Sequence, residues 1–86
     1  MKYDIHPAQL RAARALLNWS RDDLAEKAGT TNRTIARIED GEVAARATTS
    51  QLVRSALERA GVEFIAENGG GPGVRLRKPT KQKPKK

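Results

Sequence analysis

The stretch from Ser20 to Gly41 leaves this chain little choice of local structure. It reads Ser-Arg-Asp-Asp-Leu-Ala-Glu-Lys-Ala-Gly-Thr-Thr-Asn-Arg-Thr-Ile-Ala-Arg-Ile-Glu-Asp-Gly. Ser20 and Asp23 stand at capping-box spacing, with Asp where Glu is usual, and Trp19 and Leu24 occupy the two positions of a hydrophobic staple. A helix therefore starts after Ser20. It is short, because Gly29 follows Ala28 where a left-handed residue closes a helix. Thr31 then caps another helix, Asn32 to about Glu39, with Ile35 and Ile38 facing inward, and Asp40-Gly41 ends it.

Helical signals flank this unit on both sides. His6-Pro7 opens a first helix, since proline suits the first helical position. Leu10, Ala13 and Leu17 recur at i, i+3 and i+7 as a buried stripe, and Asn18 closes the helix. Glu42 to Ala47 reads as a loop. Thr48 and Gln51 repeat the capping-box spacing, and Leu52, Val53, Ala56, Leu57 and Ala60 line one face of a fourth helix that Gly61 ends. The period then changes from helical to alternating. Val62, Phe64 and Ala66 interleave with Glu63, Ile65 and Glu67, and Val74-Arg75-Leu76-Arg77 follows the turn Asn68-Gly-Gly-Gly-Pro-Gly73. Two short alternating runs around a glycine-rich turn predict a hairpin, with Val62, Phe64, Val74 and Leu76 on one face and Glu63 and Glu67 across from Arg75 and Arg77 on the other.

With 86 residues the chain holds one small domain, for which self-association would add stability. No run of 18 apolar residues marks a membrane span, and Met1 to Pro7 has no apolar core of a secretion signal. There are no cysteines, hence no disulfides or cysteine-ligated metal, which fits a reducing compartment. The net charge is +7 and points to a polyanionic partner. That charge sits in the tail. Arg75, Arg77, Lys78, Lys81, Lys83, Lys85 and Lys86 lie within Val74–Lys86 with no acid among them, and residues 1–73 hold ten residues of each sign. The segment from Lys78 is polar, basic and broken by proline, and is expected to be disordered; it is either a phosphate-binding arm or a solubilising end. Charge alone therefore does not make the folded part a nucleic-acid binder.

Two short helices joined by a tight glycine-containing turn are the parts of a helix-turn-helix. Ala25 is small enough for close helix approach, and Gly29 can take the positive φ that leaves the first helix of the pair. The second helix exposes Asn32, Arg33, Ala36 and Arg37; arginine suits guanine O6/N7 and asparagine suits adenine N6/N7. The stretch resembles the phage repressor/Cro (Xre-type) family of transcriptional regulators, whose wording it shares at Ser20, Leu24, Ala25, Ala28, Gly29, Thr31, Thr34, Ile35, Ile38, Glu39 and Gly41. With the first and fourth helices the resemblance covers roughly residues 7 to 60.

The resemblance implies roles. Asn32, Arg33 and Arg37 match the base-contacting positions. Arg21, Thr31, Thr34 and Arg46 are the expected phosphate contacts, Arg21 replacing a common glutamine, which removes any paired glutamine contact to a base. Arg14 and Glu39 match a structural ion pair. The expected fold is mainly α: a four-helix repressor-like helix-turn-helix domain over residues 1–61, a β-hairpin over 62–77 as the candidate dimerisation element through Val62, Phe64, Val74 and Leu76, with the fourth helix as the alternative dimer contact, and a disordered basic tail over 78–86. The expected function is sequence-specific recognition of double-stranded DNA by a homodimer on an inverted-repeat operator, in the cytoplasm and on the bacterial nucleoid when DNA-bound. The alternatives are an antitoxin-type protein that also binds a toxin, and a sequence-independent nucleic-acid binder. Polymerase is another possible protein partner. His6 is read as a helix-start residue and Trp19 as core packing. The glycine-rich turn lacks the Lys-Ser/Thr and helix of a phosphate-binding loop. No catalytic set, metal site or cofactor loop is expected, so the chain is not read as an enzyme.

Overall fold

A computed structural model describes residues 5–43 and 46–77 of the chain. In order, it contains α1 (Pro7–Leu17), α2 (Arg21–Ala28), α3 (Asn32–Glu39), α4 (Ala47–Arg59), β1 (Val62–Ile65) and β2 (Gly73–Leu76). Four helices and a hairpin are the architecture expected from the sequence. The tail over 78–86 lies outside the described residues.

The helix boundaries follow local chemistry. His6 caps α1: its Nδ1 accepts from Ala8 N at 3.1 Å, and Gln9 Oε1 accepts from His6 N at 3.1 Å. Asn18 closes the helix with φ 61°, a left-handed conformation that asparagine tolerates better than most residues. Ser20 and Asp23 form the expected reciprocal box at 3.0 and 2.9 Å. Gly29 ends α2 at φ 76°. Thr31 Oγ1 accepts from Thr34 N at 3.1 Å and so caps α3.

The start of α4 departs from expectation. Arg46, in extended conformation, is its N-cap residue and makes no side-chain cap bond. Thr48 lies inside the first turn, so the Thr48–Gln51 spacing is not a capping box. A cap residue must stand outside helical φ/ψ, and here Arg46 does so. The buried stripe of α4 is Ser50, Val53, Ala56 and Leu57, while Leu52 is 47% exposed. At about 100° per residue, Leu52 lies at the edge of that stripe, about 40° from Ala56 but about 100° from Val53 and about 140° from Leu57.

The core joins all helices and the first strand. Leu10, Leu24, Ile35, Leu57, Val53 and Val62 are its largest fully buried side chains, with Leu17, Trp19, Phe64 and Val74 packed around them. Trp19 packs against this core, of which Leu24 is a member, as expected of it. The strands pair antiparallel with Val62 opposite Leu76, Glu63 opposite Arg75 and Phe64 opposite Val74. Arg75 Nε reaches Glu63 Oε1 at 2.7 Å, the expected cross-strand pair. Arg77 does not meet Glu67. The same register sets Arg77 beside Gly61, whose carbonyl accepts from Arg77 N at 2.8 Å, and the Arg77 side chain donates to Glu58 O. Glu67, beyond the end of β1, accepts from Gly69 N and Gly71 N and shapes the turn.

The hairpin is fastened to the helices by contacts that sequence reasoning missed. Gln9, 9% exposed, donates from Nε2 to Gly73 O at 3.0 Å and to Ile65 O at 3.4 Å. Arg54 of α4 lies over the Phe64 ring, 4.9 Å from its centroid, and pairs with Glu58 at 2.9 Å. A two-stranded hairpin is marginal alone, and these bonds with the buried Val62 supply the packing it needs.

Candidate nucleic-acid interface

Helix α3 has two opposite faces. Ile35, Ile38 and Glu39 are buried, whereas Asn32, Arg33 and Arg37 are exposed and Thr34 and Ala36 half-buried. Eight residues place 32, 33, 36 and 37 on one side of the helix and 35, 38 and 39 on the other. The expected base-contacting residues thus share the outward face of a helix that is anchored from behind.

The anchor is Glu39, fully buried at the last turn of α3. Its Oε2 accepts from Arg14 Nε at 2.5 Å, and its Oε1 from Arg14 Nη2 at 2.9 Å and Arg21 Nε at 3.0 Å. Its backbone carbonyl accepts from Arg11 Nη1. Arg14 also donates to Trp19 O at 2.9 Å. One carboxylate therefore ties α1, the α1–α2 junction and α2 to α3. Burial pushes the Glu39 carboxyl up, but the hydrogen bonds from Arg14 and Arg21 outweigh it and hold the group below its ordinary range. The hydrogen bond to Glu39 raises Arg14 against the opposing effect of its burial.

The Arg14–Glu39 pair is thus present as expected, and Arg21 joins it. Arg21 also lies 3.6 Å from Asp40, so the residue expected at a phosphate is at the same time part of the buried network. Its spacing of 18 residues from Glu39 carries no local signal, which is why sequence reasoning missed the bond. Arg37 faces Glu42 at 3.5 Å in an exposed pair, a contact weak enough for an incoming anion to replace. Among the described residues Arg33 has no carboxylate partner.

Thr31 and Thr34 stand together at the start of α3, their hydroxyls 3.0 Å apart. Two hydroxyls carry two donor hydrogens and one is used between them, so one remains for a phosphate oxygen. Arg46 is exposed at the start of α4. Of the residues expected to form a dimer surface, Val62 is fully buried and Phe64 and Val74 pack against the chain's own core; Leu76 alone keeps a largely open side chain, 49% exposed. The hairpin turns that face toward its own helices because a lone ribbon needs a surface to cover it.

A short helix pair joined at Gly29, with an arginine-bearing outward face on the second helix, defines a DNA-binding helix-turn-helix protein. The helix-turn-helix family model HTH_3 matches residues 10–64, more than half of the chain. The chain belongs to this family, which agrees with the Xre-type resemblance of its motif, and it is a DNA-binding regulator of transcription. A comparison with curated proteins finds no match. No helix among the described residues is long and apolar enough to cross a membrane.

Proposed function

We propose that the protein recognises a specific double-stranded operator as a homodimer, with α3 in the major groove. The observation that carries this reading is the outward face of α3, where Asn32, Arg33 and Arg37 are exposed together on a helix held from behind by Glu39. Arginine and asparagine are the side chains best suited to guanine and adenine edges. Around them, Arg21, the Thr31–Thr34 hydroxyl pair and Arg46 supply phosphate contacts that fix the register of the helix on the duplex. The lysines beyond Arg77 act as a sequence-independent arm that adds affinity.

One short helix reads few base pairs. Two copies related by a two-fold axis double the site and set half-site centres about one helical turn, ~34 Å, apart. Leu76 and the outer edges of the hairpin are the surface through which the copies meet. The protein works where the DNA is, in the cytoplasm.

The test is a selection from a random DNA library with the purified protein, at physiological salt and with competitor DNA. Enrichment of an inverted repeat is expected. Enrichment of a single half-site would remove the dimer, and binding without enrichment would replace operator recognition by a nonspecific or partner-dependent mode.

A further inference from the structure

Asp22 belongs to α2, yet it touches the first residue of the outward face of α3. Asn32 Nδ2 donates to Asp22 Oδ1 at 2.8 Å, across the turn that joins the two helices. Both side chains are exposed. The two acids in the first turn of α2 have separate tasks: Asp23 closes the capping box on Ser20 N, and Asp22 faces Asn32. The helix N-terminus favours a carboxylate at this position.

A carboxylate can only accept, so the atom of Asn32 that faces it is the amide nitrogen, and the orientation of the amide is thereby set. One of its two N–H groups is used. What remains for the groove is one donor and one acceptor. Adenine shows the complement of that pair, N7 accepting and N6 donating, whereas guanine shows two acceptors, N7 and O6. An untethered asparagine can turn both N–H groups toward guanine; a tethered one cannot.

We infer that Asp22 determines specificity: it holds the Asn32 amide so that the first position of α3 selects adenine over guanine. The inference rests on the proposed base contact of Asn32. It has a second consequence. Asp22 puts negative charge near the face offered to phosphates, so it lowers affinity for all DNA while it sharpens the choice of base.

The experiment compares the full-length chain with Asn32→Ala, Asp22→Ala and Asp22→Asn. Each is titrated with the selected operator, with operators carrying guanine for adenine at one position at a time, and with unrelated DNA. The unaltered chain is expected to prefer adenine at one half-site position by about tenfold or more. Asn32→Ala abolishes that preference. Asp22→Ala reduces it to about twofold or less and raises affinity for unrelated DNA, a combination that mere loosening of the helix pair would not produce. Asp22→Asn keeps an acceptor oxygen without the charge, so it retains most of the preference and shows the same rise in unrelated binding. If Asp22→Ala melts below the assay temperature, Asp22→Ser, too short to reach Asn32, carries the same comparison. Full preference in Asp22→Ala beside a loss in Asn32→Ala would overturn the inference and leave the Asn32 contact standing. No positional change in Asn32→Ala would remove that contact and the inference with it.

Discussion

Arg21 Nε donates to Glu39 Oε1 at 3.0 Å, so the residue that opens α2 is tied to the residue that ends α3. The angle between the two helices of the DNA-binding unit therefore depends on one buried carboxylate and the guanidinium groups of Arg14 and Arg21.

Removing that carboxylate leaves two partly buried cations facing each other. Glu39→Ala should cost about 3 kcal/mol, near the lower end for breaking a buried pair from one side. Urea unfolding followed by the fluorescence of Trp19, the single tryptophan, measures it. A loss below about 1 kcal/mol would reduce the network to an ordinary surface bridge.

The same carboxylate makes stability depend on acid. The folded state holds the Glu39 carboxyl below its ordinary range, so its contribution is present above that range and drains away as pH falls through the folded value. The unfolding free energy should fall from about pH 5 downward, and Glu39→Gln should show a shallower fall over the same window. Equal slopes in the two proteins would mean that other carboxylates carry the acid sensitivity.

On the outward face, Arg33→Ala and Arg37→Ala should each relax the choice at one base pair and cost ~1–3 kcal/mol of operator binding, with the fold intact. Titration against operators altered one position at a time reads both effects. Retention of full discrimination by both variants would take base reading away from α3.

Gln9 holds the hairpin by donating from one amide to the carbonyls of Ile65 and Gly73. Gln9→Ala should cost about 1 kcal/mol and speed amide exchange in β1 and β2 more than in α2 and α3. Uniform acceleration along the chain would place Gln9 in the common core instead.

Residues 78–86 carry Lys78, Lys81, Lys83, Lys85 and Lys86. Their deletion should weaken binding to operator and unrelated DNA alike and flatten the dependence of log affinity on log salt. An unchanged salt slope would exclude the arm.

Much of this was legible locally. Ser20 with Asp23, Thr31, Gly29 and Asn18 act within one turn of chain, so these residues alone placed ends of three helices. The fourth start was misread at Thr48 because a threonine three residues before a glutamine is also ordinary helix interior, and Arg46, with no side-chain cap bond, leaves no mark in the sequence. The outward face of α3 followed from its period. The companions of that face did not: Asp22 meets Asn32 across a turn, and Arg21 meets Glu39 across the helix pair.

The amino-acid sequence by itself determined the helix pair, its family and the hairpin with its Glu63–Arg75 pairing, because caps, periods and turn residues act over a few residues. Only the tertiary structure decided which way the hairpin faces and what it can offer a partner. Val62, Phe64 and Val74 alternate as a dimer surface would, but they pack on the core that the helices form, and burial is worth the same whichever surface provides it. The chain's own core is always within reach, so it took those side chains and left Leu76 outside.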